Sequence, residues 1–148
     1  MSRLPDELSR GARAGALGAL AVLGAAALRN RLLGRLPPYS SQRFVSRLAR
    51  HAGWRLSPGG ARAAGALFRL AYGTTLGVLF ARLGGPLAGR GPGATGVVLG
   101  ASVLLLERLS FPRLGITPPA RRWTRAERAL LTAQTALYGQ VVARAYAS

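Results

Sequence analysis

Apolar residues are concentrated in long stretches that alternate with polar, basic connectors. The stretch 63–82 is apolar or small at nearly every position up to Ala81, and the exceptions there are Arg69, Tyr72, Thr74 and Thr75. About 20 helical residues cross a ~30 Å hydrocarbon core. A Thr hydroxyl can bond to a carbonyl one turn earlier, whereas an intramembrane Arg must reach the interface, water or an anion. The pattern therefore predicts a membrane helix with one basic residue that needs a partner.

Three further stretches are predicted to be membrane helices. They cover residues 11–28, 94–109 and 126–146. The first consists almost entirely of Ala, Gly, Leu and Val, and a cleaved signal peptide is its alternative interpretation. Asp6 and Glu7 before it, and basic residues directly after it, favour an uncleaved span. Thr124 followed by Glu127 predicts a capping box at the start of the last helix.

Between the first two spans, residues 41–54 have the pattern of a basic amphipathic helix. Apolar residues share one face, while arginines occupy another and a tryptophan ends the segment. Such a helix is suited to the headgroup layer beside anionic lipid. The candidate headgroup contacts are Arg43, Arg47, Arg50 and Trp54. A short helix packed on its own protein is the alternative.

The predicted fold class is all-α. It consists of a four-helix transmembrane bundle with a short basic amphipathic interfacial helix between spans 1 and 2, as one domain over residues 1–148. Small residues recur four positions apart at Gly73 and Gly77 and at Gly96 and Gly100. This spacing lets another helix approach closely. The partner helix can belong to the same bundle or to a second copy, so a homo-oligomer stays open.

The charge of the chain changes the list of candidate partners. Basic residues outnumber acidic ones, 21 against 4, and all of the basic ones are Arg. A net charge of +17 is typical of nucleic-acid binders. Here the arginines mostly flank long apolar runs, and 49% of the residues are hydrophobic. We therefore expect a lipid bilayer with anionic headgroups as the partner, and a soluble nucleic-acid-binding protein is an alternative.

The arginines also predict an orientation. Most of them lie in the two connectors, at Arg29, Arg31, Arg35, Arg43, Arg47, Arg50, Arg55 and Arg62 and at Arg108, Arg113, Arg121, Arg122, Arg125 and Arg128. Cytoplasmic loops carry the excess of basic residues in membrane proteins. The sequence thus predicts a multi-pass membrane protein with cytoplasmic connectors and external termini.

This orientation suggests a partner for Arg69. The second span would run outward and the third would return, which places Arg69 and Glu107 in the same half of the bilayer. Glu107 borders the third apolar span, and acids are scarce in this chain. An intramembrane ion pair between Arg69 and Glu107 is therefore predicted. The alternative is that Arg69 snorkels alone while Glu107 lies among headgroups.

Catalytic chemistry has little support in the residues. The chain has no Cys and one His, and it contains no HExxH, GxSxG or phosphate-loop motif. We therefore expect no enzyme, no metal site and no cofactor, but a non-enzymatic structural, envelope-stress or accessory component. The alternative is a small transporter or channel. Its polar path would use Arg69, Thr74, Thr75, Glu107, Gln134 and Tyr138.

Local patterns add a resemblance to a known family. They are LPPYSSQRFVSRLAR at 36–50, RLAYGTTLGVLF at 69–80, LLERLSFPRLGITPP at 105–119 and ALYGQVVA at 136–143. Together they resemble the YagU-like family of small bacterial inner-membrane proteins, which implies about four spans, a location in a bacterial inner membrane and no activity that can be transferred. Members often have a His shortly before each Tyr-Gly pair. In this chain Arg69 takes the first such place, and Gln134 or Thr135 lies near the second.

Overall fold

The architecture is helical throughout the part of the chain that the computed structural model describes, residues 3–34, 40–84, 89–113, 115 and 117–148. Within these ranges lie five α-helices, α1 (Arg3–Leu33), α2 (Ser41–His51), α3 (Pro58–Leu83), α4 (Gly91–Arg113) and α5 (Arg125–Ala147). A 3₁₀ turn at Ala120–Arg122 precedes α5. Within these ranges no residue is in a β-strand, so the all-α prediction is confirmed.

Three helices, α1, α3 and α4, are long and apolar enough to cross a membrane. The 26 residues of α3 correspond to about 39 Å of helix, more than the ~30 Å hydrocarbon core. Although α5 has 23 residues, it is not among these apolar helices. The fold therefore agrees with three of the predicted spans, whereas the fourth, at 126–146, stays a prediction.

The helix ends follow local chemistry. The Ser57 hydroxyl accepts a hydrogen bond from the Gly60 N–H at 3.0 Å, which caps α3. The predicted capping box at the start of α5 is confirmed, because Thr124 and Glu127 bond reciprocally to each other's backbone N–H. The interfacial helix is shorter than the predicted 41–54. It ends at His51, since Gly53 adopts a left-handed backbone with φ of +80°.

Two closely packed antiparallel helix pairs form the framework. In the first, α1 lies against α3, with Gly11 beside Gly77 and Gly15 beside both Gly73 and Gly77. In the second, α4 lies against α5, with Gly139 beside Gly96 and Gly100. The pairs join where α1 meets α5, around the buried side chains Val22, Tyr138 and Val142.

This antiparallel arrangement brings both basic connectors to one end of the molecule. The two connectors contact each other there through a hydrogen bond from Arg47 Nη1 to the Gly115 carbonyl at 3.4 Å. The N-terminus of α2 lies against α3, where a Cβ on Gly65 would stand 2.8 Å from the backbone of Gln42. Residues far apart in sequence, among them Arg69 and Glu107, therefore meet near this end.

Candidate functional site

Arg69 and Glu107 face each other between α3 and α4. Arg69 Nη1 lies 3.5 Å from Glu107 Oε1. The Glu107 side chain is 2% exposed and that of Arg69 is 16% exposed, so the two charges meet inside the molecule. A buried carboxylate is costly without a compensating charge, because desolvation penalises the ionised form. Arg69 supplies that charge from the neighbouring helix.

Tyrosines from two helices surround this ion pair. The Tyr138 hydroxyl of α5 donates to the Gly73 carbonyl of α3 at 2.6 Å, a buried bond that links the two helices. Tyr72 lies within electrostatic range of both Arg69 and Glu107. Its hydroxyl is buried and lies close enough to the Glu107 carboxylate to interact with it. We refer to Arg69, Tyr72, Glu107 and Tyr138 as the polar cluster.

Other polar residues of the predicted path are placed differently. Gln134 of α5 is buried at 8% exposure, and its neighbour Thr135, which the predicted path does not include, is buried at 1%. Thr75 is exposed, and its hydroxyl donates back to the Ala71 carbonyl on its own helix at 2.9 Å. It therefore contributes no donor to the polar cluster. The interhelical bond from Tyr138 to Gly73 could not be found from sequence, because spacing along one helix does not identify the opposing carbonyl.

The four glycines singled out by their spacing all lie at close helix contacts within one copy of the chain. A Cβ on Gly73 would lie 2.7 Å from Ala19 Cβ, and one on Gly77 would lie 2.6 Å from Gly15 Cα. On α4, a Cβ on Gly96 would lie 2.9 Å from Gln140 Cα, and one on Gly100 would lie 2.8 Å from the Thr135 carbonyl oxygen. These glycine faces are therefore occupied inside the molecule.

The partner glycines are Gly11, Gly15 and Gly139. Gly11 and Gly15 show the same four-residue spacing in the sequence, but Gly139 belongs to no such pair of glycines. Its role follows from packing alone, because its Cβ would stand 2.6 Å from the Gly100 nitrogen.

The candidate headgroup contacts lie at the connector end. Arg43, Arg47 and Arg50 on α2 are exposed, and Trp54 is 72% exposed. The apolar face of α2 is divided between protein and surroundings. Its Phe44 packs against Phe68 of α3 with ring centroids 4.7 Å apart, whereas other apolar residues remain uncovered. Helix α2 thus packs on its own protein and also keeps an exposed basic and aromatic surface.

A cavity of about 520 Å³ opens beside the polar cluster, between α1, α2, α3 and α5. Its lining includes the half-buried Arg69 and the buried Gln134, and Arg29, Arg31 and Arg62 bring further positive charge. The cavity has a volume typical of small-molecule sites, although charged residues make its lining unusual.

No protein-family model, curated protein or solved structure shows significant similarity to the chain. The resemblance to the YagU-like family stays a prediction. Geometry and charge are therefore the grounds for a functional assignment.

Proposed function

We propose that the protein is a multi-pass integral protein of a bacterial inner membrane, with a non-enzymatic structural, envelope-stress or accessory role. This proposal rests on the contacts that the polar groups within the apolar helices make with other helices. Glu107 is matched by Arg69, and Tyr138 is matched by the Gly73 carbonyl, so these groups connect helices. A bundle stabilised in this way is suited to a fixed scaffold.

Support for the bilayer comes from the outer surfaces of the apolar helices. Large apolar side chains remain exposed on α1, α3 and α4: Leu17, Leu20, Leu28, Leu67, Leu79, Leu83, Val97, Leu105, Leu106 and Leu109. In water, such apolar surface is a liability unless a partner covers it. Acyl chains would cover it at no cost, because lipid is as apolar as leucine.

We propose that α5 is the fourth span. It packs antiparallel to α4 and has the same length, 23 residues. Its polar residues Gln134, Thr135 and Tyr138 are buried by the other helices, which compensates for its low hydropathy. A helix shielded in this way can cross a bilayer despite its composition.

Orientation is tested with single cysteines, since the natural chain has none. Cysteine is placed in turn at Arg50, Arg90, Arg121 and Ser148, and labelled in intact cells with a membrane-impermeant maleimide. We expect labelling from outside at 90 and 148, and labelling at 50 and 121 only after the membrane is opened. This pattern corresponds to four spans with cytoplasmic connectors.

Labelling at 148 only after opening, together with external labelling at 90, would contradict α5 as a span. The reverse pattern at all four sites would contradict the orientation and leave the span number intact. The two parts of the proposal therefore fail separately.

A small transporter is the second candidate, and the cavity that reaches Arg69 and Gln134 favours it. A transport path must continue past this point to the opposite end of the bundle. The tight glycine contacts between α1 and α3 lie in that direction. Anion flux into proteoliposomes that is lost in Gln134→Leu, while the protein still folds, would support transport over a scaffold role.

A further inference from the structure

Four arginines line the cavity between α1, α2, α3 and α5. Arg31 and Arg62 are exposed, Arg29 is buried at 8% exposure, and Arg69 is intermediate. Among the described residues that line the cavity, none is acidic. Glu107 pairs with Arg69 but is not among the residues that line the cavity. The cavity therefore has a positive electrostatic potential that no carboxylate among its described lining residues balances.

Two buried polar residues of the cavity lining, Arg29 and Gln134, can contact a polar ligand. Asn30 Oδ1 accepts hydrogen bonds from Arg29 Nε at 3.2 Å and from Arg29 Nη2 at 2.9 Å, which fixes the orientation of that guanidinium. Gln134 also lines the wall and is 8% exposed. Its side-chain amide can donate N–H groups to an oxyanion in the cavity.

The N-terminus of α2 contributes a second source of positive potential. Ser40, Ser41 and Gln42 line the cavity, and Ser40 occupies the N-cap position without a side-chain capping bond. The first N–H groups of a helix have no intrahelical acceptor, and the helix dipole is positive at this end. Phosphate groups bind at such termini, and Arg guanidinium groups match their oxygens bidentately.

The remaining lining is apolar. Val22, Leu23, Ala26 and Ala66 lie on the α1 and α3 sides of the cavity. The site therefore combines a basic region at the connector end with an apolar region along the helices, an arrangement that suits a charged group attached to hydrocarbon.

We propose that this cavity binds a phosphate group, either the headgroup of an anionic phospholipid or a soluble phosphate compound. Arg29, Arg31 and Arg62 supply the charge, and Gln134 and the α2 N-terminus supply further N–H donors. Arg69 connects the ligand to Glu107, so that occupancy of the cavity stabilises the polar cluster. The site differs from the exposed surface of Arg43, Arg47 and Arg50, and it does not depend on the number of spans.

The test uses the full-length protein in a neutral detergent, with unfolding followed by tryptophan fluorescence. The probes are inorganic phosphate, short-chain phosphatidylglycerol and short-chain phosphatidylcholine. A ligand that binds only the folded state raises the unfolding midpoint in a saturable way, which yields an apparent Kd. We expect saturable stabilisation by at least one of the first two probes, and markedly less by the zwitterionic lipid.

Matched double variants locate the site. Arg31→Gln with Arg62→Gln removes two exposed cavity arginines, and we expect about tenfold weaker binding. Arg82→Gln with Arg90→Gln removes the same charge from exposed positions at the opposite end and leaves the apparent Kd unchanged. Because all four side chains are exposed, both variants should fold.

A second variant tests the site without removing any contact. Ala27 is exposed and lines the cavity, so Ala27→Glu introduces a repelling carboxylate there. Ala63→Glu places the same charge on an exposed position outside the lining. We expect weaker binding for Ala27→Glu alone, and this pair decides the matter if the arginine variant does not fold.

Each outcome has a defined meaning. Stabilisation by phosphatidylglycerol without an effect of phosphate identifies a lipid headgroup, and stabilisation by phosphate identifies a soluble ligand or the shared phosphate group. The absence of any stabilisation, equal effects of the two lipids, or equal weakening by the cavity variants and their controls overturns the proposal.

Discussion

The stability of the folded interior depends on how the buried charge of Glu107 is compensated. Its side chain is almost fully buried, and its carboxylate interacts with the Arg69 guanidinium, 3.5 Å from Oε1, and with the Tyr72 hydroxyl. Its stabilisation therefore rests mainly on the opposite charge of Arg69. Removing one member of such a pair leaves an uncompensated charge in a low-dielectric interior.

We expect Glu107→Gln to lower the free energy of unfolding in detergent by about 2 kcal/mol. This is below the range for a fully buried pair, because Arg69 keeps 16% exposure and can reach solvent. The measurement is thermal or denaturant unfolding of the purified protein. Glu7→Gln is the control, since Glu7 lies near the start of α1 and outside the apolar stretches. Equal effects of the two substitutions would show that the pair contributes little.

The close contact between α1 and α3 predicts a second effect at the residue scale. A Cβ on Gly77 would meet the Gly11 carbonyl and would lie 2.6 Å from Gly15 Cα, and both are backbone atoms that cannot rotate away. We expect Gly77→Ala to destabilise the protein by about 2 kcal/mol, as overpacking does.

The matched control for this substitution is Gly24→Ala on α1. A Cβ on Gly24 would meet no atom within 4 Å. Since alanine has the higher helix propensity, this change should be neutral or stabilising by about 0.5 kcal/mol. A similar loss of stability at both positions would mean that helix contact is not the cause.

At the level of single helices, the local sequence predicts a helix boundary well when a nearby side chain caps the helix at that point. The capping box of α5 needs only Thr124 and Glu127, which are three residues apart, so it could be predicted from sequence. The end of α2 was predicted three residues too far along the chain. Its amphipathic pattern continues to Trp54, but the backbone of Gly53 is left-handed and breaks the helix.

We expect Thr124→Ala to cost about 1 kcal/mol, because it removes the hydroxyl that accepts from the Glu127 N–H. Ser40→Ala is a suitable control. Ser40 is the N-cap residue of α2, but its side chain makes no capping bond, so its loss should change the unfolding midpoint little. Circular dichroism melting of the two variants provides the comparison. A larger loss for Ser40→Ala would contradict this assignment of the caps.

For the whole molecule, the exposed apolar surface and the basic connectors predict how the protein partitions between the membrane and soluble fractions of a cell. We expect the protein to stay with the membrane fraction after washing with high salt and with alkaline carbonate. The apolar faces of α1, α3 and α4 hold it by the hydrophobic effect, which salt does not weaken. A bacterial protein with known spans serves as the control in the same extraction.

A soluble nucleic-acid binder would behave in the opposite way. Its attraction to phosphates falls steeply with salt concentration, so high salt would release it into the soluble fraction. Such a release would favour the alternative interpretation of the +17 charge.

The sequence alone is enough to specify the helical class, the three apolar helices and the cap of α5, because these depend on neighbours within a turn or on composition along one helix. It also indicated Arg69 and Glu107 as the members of an ion pair, because the chain has few acidic residues that could pair with an arginine inside an apolar run. The distance between these two side chains required the fold.

The packing of the helices alone settles which helix each glycine face contacts, which carbonyl Tyr138 bonds, and which of the described arginines surround the cavity. Arg29, Arg62 and Gln134 lie on three different helices, and their distances depend on the angle and register at which those helices pack. Periodicity identifies the face of a helix that is apolar or small, but it carries no information about the surface on the other side. Long-range packing therefore determines the site, and sequence spacing determines the elements from which the site is built.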